Sequence, residues 1–302
     1  MMKKSLKLAC IVLALGLFAC SNSSADITVE MKSSVSGIPF LRVFEINQIT
    51  GMRGNEVISA TEGEMDVGDT AISFRSSTYI NSVKNLIRIC NWPDSTCQLI
   101  NLTGIDKLLA SDTFGILMDT LDYYLDIAAQ YVKIDEAEIG KTGKSQKISG
   151  YDCDEVFFSL KGSANPPLGS LPGDIRFNLS GSSWLTDDFP NYDEYRESIG
   201  SMFDLYLTPE VWDLLKKVFG RFGLSESYLE ESLALWKYLY VEMALNIKVE
   251  LWSEDMDVPS MAFNIRFNSV LVDLSFDKIS DSVFEPPSGF ETETVDLSNL
   301  LK

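Results

Sequence analysis

The chain is 302 residues long, 45 % hydrophobic and 11 % aromatic, and carries 44 acidic against 25 basic side chains for a net charge of −19. Such apolar content specifies a globular protein, and a charge so negative, with no basic cluster, excludes nucleic acid as a partner. Histidine is absent altogether, which removes the usual general base, the usual zinc ligand and every Ser-His-Asp or Cys-His arrangement.

In chain order, Lys3, Lys4 and Lys7 precede an apolar stretch from Leu8 to Ala19. That is the charged start, apolar middle and small-residue end of a signal peptide over residues 1–19. A spanning helix needs about 20 apolar residues, and this stretch is too short. Leu17-Phe18-Ala19-Cys20 resembles a bacterial lipobox, in which cleavage before Cys20 leaves its thiol and new amino group to be acylated; an ordinary secretory signal that happens to place Cys20 near the cut is the alternative. Two or more acyl chains hold a protein stably on a bilayer. Residues 20–26 then form a lipidated anchor and a short tether, with the membrane as partner through Cys20. Ser21 follows the anchor instead of the Asp that favours inner-membrane retention, so the resemblance to lipoprotein sorting signals implies the outer membrane; the periplasmic face is the expectation, with the surface face the alternative. Maturation removes three lysines and no acid, leaving 22 basic against 44 acidic side chains, a net −22.

From residue 26 to about 102 the pattern is that of antiparallel strands: Ile27, Val29 and Met31, then "FLRVFEI", then "AISFRSS", separated by turn signals such as "ITGMRGNE" and "DVGD". "NLIRIC" and "CQLINL" flank the turn "NWPDST", so a hairpin would bring Cys90 and Cys97 together as a disulfide. Cys153 is then a free, buried thiol, the rival being a bond from Cys153 to Cys90 or Cys97. Phe114, Leu117, Leu121, Tyr124, Ala128 and Tyr131 form a one-faced helical stripe. Strands resume at "YDCDEVFFSL", "DIRFNLS" and "SSWLT".

Residues 190–243 carry three helical signatures. The first opens at Asn191 with Glu194 at capping-box spacing, the second at Thr208-Pro209 and ends at Gly223, and the third carries Leu229, Leu233, Trp236, Tyr240 and Met243. Each stripe is apolar on one side, for packing on a sheet or for a lid over a cavity. The chain closes with strands "NIKVELW", "AFNIRF" and "VLVDLSF", the last placing Val270, Val272, Leu274 and Phe276 on one face. The expected fold is α+β: a large curved antiparallel sheet, an incomplete β-barrel, with helices covering its concave face. Residues 27–302 form one domain with helical insertions near 104–132 and 191–243.

Four segments carry a resemblance: "GMRGNEV" (51–57), "ISGYDCDEV" (148–156), "SSWLTDDFP" (182–190) and "VFEPPSGFE" (283–291). Together they resemble the landmarks of a bacterial envelope protein family of unknown function, itself similar to the periplasmic lipoprotein carriers and receptors (LolA/LolB-like). The resemblance implies a half-open barrel with helices at its mouth and an apolar concavity for acyl chains or another greasy ligand. It matches no ligand-contact residue position by position, and the helical block at 190–243 is larger than in those carriers.

Three functions follow. The first is a lipid-anchored binding protein for an apolar ligand or a lipidated partner, its cavity lined by aromatics such as Trp184, Trp252 and Trp236. The second is a structural lipoprotein with a filled core that meets other envelope proteins. The third, an enzyme using Asp187, Asp188, Asp193 and Glu194, is set aside, because these acids sit where they would cap a helix. No cofactor is expected; calcium at "SEDMD" (253–257) reads first as a hairpin turn.

Overall fold

The structure is a computed structural model that describes residues 26–38, 41–67, 70–101, 112–165, 173–197, 200, 209–235, 237–253 and 257–295. The leader, Cys20 and Trp236 lie outside these residues.

Twelve strands form one open, curved sheet: β1 (Asp26–Ser36), β2 (Leu41–Arg53), β3 (Glu56–Val67), β4 (Thr70–Asn81), β5 (Leu86–Asn91), β6 (Thr96–Asn101), β7 (Val132–Ile148), β8 (Tyr151–Ala164), β9 (Asp174–Thr186), β10 (Leu239–Trp252), β11 (Met261–Ser275) and β12 (Glu291–Val295). Their spatial order is β12-β6-β5-β4-β3-β2-β1-β11-β10-β9-β8-β7, so β1 begins mid-sheet and two meanders spread from the β1–β11 seam. All pairings are antiparallel except β12 on β6. Tight turns link neighbours. Ser149 and Gly150 both take positive φ, 51° and 93°, between β7 and β8, the geometry whose twist suits a two-residue hairpin.

Two readings of the sequence need correction. The expected third helix runs only from Glu226 to Leu235, and Tyr240 and Met243 belong to β10. In "YLYVEM" the apolar residues satisfy both periods, and aromatic and β-branched content favours the strand. In "VLVDLSF" a bulge opposite Glu30/Met31 shifts the register. Val270 and Val272 are therefore 41 % and 54 % exposed while Leu271 is buried. In addition, residues 174–186 form one continuous strand, and β3, β7 and β12 are strands that periodicity did not signal.

The helices are α1 (Asp112–Tyr131), α2 (Pro209–Arg221) and α3 (Glu226–Leu235), with a further helical turn at 192–197. Asp122 accepts from Lys217 and from Arg221 (2.8 Å), and Asp126 from Arg221 (2.9 Å), which ties α1 to α2. Gly223 ends α2 at φ +92°, and Ile134 N–H donates to Phe222 O at 3.0 Å, fastening the helix end to β7. The principal contacts of the helices are with β7 and one another, at one edge of the sheet. A helical cover over the sheet's apolar face is not seen among the described residues.

Candidate ligand-binding face

Register and alternation sort the strand residues onto two faces. The first row of one face runs Ile27–Met52–Val57–Ile80–Ile87–Ile100 across six strands. Farther up the same strands, Ile72, Met65, Phe44, Val35, Phe267, Leu245, Gly181, Phe158 and Ile139 form a row across nine. Shorter rows follow: Ile265–Ile247–Leu179–Leu160, then Phe263–Val249–Phe177–Gly162, then Met261–Leu251–Ile175–Ala164. Gly181 is needed where it stands, because a Cβ there would clash with the backbone oxygen of Ala244 and lie 2.9 Å from the Phe158 ring.

Along β2 and β11 residues of this face are half-buried while their neighbours are exposed, as in Phe44, Ile46 and Gln48 against Glu45, Asn47 and Ile49, and in Phe263, Ile265 and Phe267 against Asn264, Arg266 and Asn268. Side chains that shade one another in this way mark the inside of a curved sheet, and we call this face inner. From β1 to β6 and from β9 to β11 no residue of the inner rows is charged, and on β8 the inner positions from Val156 to Ala164 are uncharged, with Asp154, opposite Leu185, the exception at its lower end. The charges project outward, as in the row Lys32–Asn47–Glu62–Arg75. At the lower end Phe189 and Tyr195 close the face, their rings 5.3 Å apart and part of one buried cluster with Ile27, Met52, Val57 and Ile80. Burial raises the Tyr195 phenol far above its ordinary value and pushes Tyr240 up to about 12, so neither adds charge there.

On the outer face the chain after β11 crosses the sheet to reach the β6 edge. Ile279 N–H donates to Asp26 (2.5 Å), Arg53 donates to Asp281 (2.5 Å), and Arg88 donates to Phe284 O (2.8 Å). The Arg53 guanidinium lies 4.2 Å from the centre of the Phe284 ring. Arg53 also donates to Glu56 (2.9 Å), which accepts from Tyr79 Oη (2.6 Å) and Asn81 (3.2 Å). Burial pushes the Glu56 carboxyl up, but the bonds from Tyr79, Arg53 and Asn81 outweigh it and hold the group below the usual carboxylate range. The four sequence landmarks therefore meet in pairs. Arg53 of the first touches Phe284 of the last, and Thr186 of the third donates to Asp152 O of the second at 2.8 Å.

Cys90 and Cys97 oppose each other in the β5–β6 hairpin and are disulfide-bonded. Cys153 is free and buried in the core, where desolvation raises its thiol pKa. Trp184 opposes Glu242 and packs half-buried on the core. Trp252 lies on the outer face, with Arg176 4.3 Å from its ring centre and its indole N–H donated to Glu250. Ten residues of β10 separate Glu242 from Trp252, about 33 Å of strand, so the two tryptophans are not brought together. Asp187 and Asp188 border a polar cleft of about 390 Å³ with Lys141 and Asp154, which pair with each other at 3.0 Å. Asp193 pairs with Arg196 instead. Among the described residues no group of three or more side chains could hold a metal, and no helix is long and apolar enough to cross a membrane.

Sequence reasoning missed the extent of the uncharged face. Its signal lies in β3, where Val57, Ser59, Thr61, Gly63 and Met65 alternate with Ile58, Ala60, Glu62 and Glu64. Small hydroxyl residues at the inward positions weaken the apolar period, so periodicity does not mark the segment as a strand.

No family model matches the chain, and no curated protein matches it. Among solved structures, a DUF1329 family protein from Desulfovibrio piger aligns over 87 % of this chain and 90 % of its own, at 9 % identity and a TM-score of 0.24. A porin-like protein from Bacteroides uniformis aligns over 84 % of this chain and 99 % of its own, at 6 % identity and a TM-score of 0.23. Neither is described as a lipoprotein carrier or receptor, and overlaps this loose say nothing of function.

Proposed function

We propose that this chain is a non-catalytic protein of the bacterial cell envelope, anchored to the outer membrane by lipid on Cys20, whose half-barrel sheet receives an apolar ligand or lipidated partner on its inner face. One observation carries the reading. In a chain of net charge −19, ten strands direct residues to the same side that are uncharged, largely apolar, with Asp154 at the lower end of β8 the exception, and the described residues leave that side half-exposed in its upper part. An apolar surface of that breadth gains from being covered, at about 25 cal/mol per Å² removed from water. The anchor itself rests on the lipobox at residues 17–20 and the leader before it.

Native mass spectrometry with lipid extraction tests the reading on the full chain carrying Cys20→Ala, purified in mild conditions. A stoichiometric apolar molecule, lost in Leu179→Glu and Ile247→Glu, is the expected result. A clean apo mass that stays unchanged when envelope lipids are offered overturns it and points to a structural lipoprotein with protein partners.

A further inference from the structure

The uncharged inner face is not uniformly apolar. Between the bottom row and the nine-strand row, β2, β3 and β4 carry two rows made only of hydroxyl and amide side chains, Thr50–Ser59–Thr78 and Gln48–Thr61–Ser76. All six are buried or half-buried. Gln48 Nε2 donates to Ser59 Oγ at 3.1 Å. The next row up is mixed, Phe74–Gly63–Ile46 on β4 to β2 and then Ser33–Ser269–Met243–Ser183 across the seam, with Ser33 donating to Ser269 at 2.9 Å; it includes Ser183. That hydroxyl is 2 % exposed and has no hydrogen-bond partner among the described residues.

Hydroxyls and primary amides both donate and accept, so they satisfy esters, amides and alcohols, whereas the sheltered inner rows of β1 to β6, which carry no charge, offer an ionic group no counterion for the hydration it gives up. We infer that the ligand of this face is a neutral amphiphile, its uncharged ester, amide or hydroxyl head on the band of β2–β4 and its apolar chain on the Leu, Ile and Phe rows of β8–β11. The inference rests on the ligand-binding reading above and narrows it from any greasy molecule to one without a charged head.

Equilibrium dialysis of the full chain carrying Cys20→Ala, against three probes that share one unsaturated chain, separates the cases. The probes are 1-monooleoylglycerol, oleate and oleylamine, each below the concentration at which it self-assembles. The overall negative charge works against oleate and for oleylamine, so only local chemistry can make the neutral probe the best of the three. We expect monooleoylglycerol to bind at least tenfold tighter than either. The double variant Thr61→Val/Ser76→Ala, which keeps strand-compatible side chains and removes two hydroxyls, reduces that preference severalfold while its urea midpoint stays near the parent's. Equal binding of all three probes, a preference for oleylamine, or a preference the double variant leaves intact overturns the inference and leaves the ligand-binding reading standing. Binding of none overturns both.

Discussion

Ile247→Glu asks directly whether the inner face is open. Ile247 sits between Ile265 and Leu179 in the middle of β10 and is half-buried. Fully burying an isoleucine is worth about 1.5–3 kcal/mol, so a half-buried one contributes about 1 kcal/mol. On an open face the new carboxylate keeps most of its hydration, and the total loss is about 1–2 kcal/mol. On a face sealed by the protein's own helices the same substitution strands an unpaired charge, and the loss exceeds about 4 kcal/mol. Ile80→Glu supplies the sealed reference, because Ile80 is 4 % exposed in the closed lower row. Urea unfolding followed by circular dichroism and tryptophan fluorescence reads both. Equal destabilisation by the two substitutions would refute the open face and, with it, the ligand-binding argument.

Phe284→Ala removes the ring between Arg53 and Tyr79 and should cost about 3–4 kcal/mol, with faster amide exchange confined to β12 and β6; uniform exchange would show that the crossing segment is not a separate latch. Replacing Cys90 and Cys97 together by serine should lower stability by about 2–3 kcal/mol for a bond closing so short a loop, read as a lower urea midpoint, and no shift would contradict it. Glu56 has a depressed folded pKa, so its contribution is complete above its unfolded value of about 4.3 and is lost as pH falls through the folded one. Glu56→Gln should therefore be less stable at neutral pH and show a flatter acid limb, and an unchanged limb would reject the assignment. Cys20→Ala should abolish incorporation of labelled palmitate and membrane fractionation in a bacterial host, whereas labelling that persists would discard the anchor.

Much of the sheet was legible because its apolar positions alternate cleanly. "NIKVELW" and "AFNIRF" announce β10 and β11, and "NWPDST" announces the β5–β6 hairpin. The misread stretches share a physical cause, a local irregularity that periodicity cannot register. At Val272 an extra residue turns the following side chains over, and after Leu235 a helical stripe and a strand pattern share their apolar residues. The candidate face was only partly legible. Its greasy rows are visible in the β-branched runs, but that Gln48, Thr61 and Ser76 lie side by side depends on pairing between strands, and no single stretch of chain contains that information. Trp252 shows the converse: an aromatic residue in an apolar run, placed by parity on the outer side, where Arg176 covers it.

The β1–β11 seam bears on how the molecule is made. Ser33 and Ser269, hydrogen-bonded across it, are 236 residues apart in sequence. Each meander can zip from local hairpins, yet β1 lacks its second neighbour until nearly the whole chain has been delivered. Closing so long a loop is entropically costly and slow. Acquisition of the native sheet is therefore gated by the arrival of β11, and until then the β1 edge of the first meander stays unpaired, a strand edge open to the wrong partner.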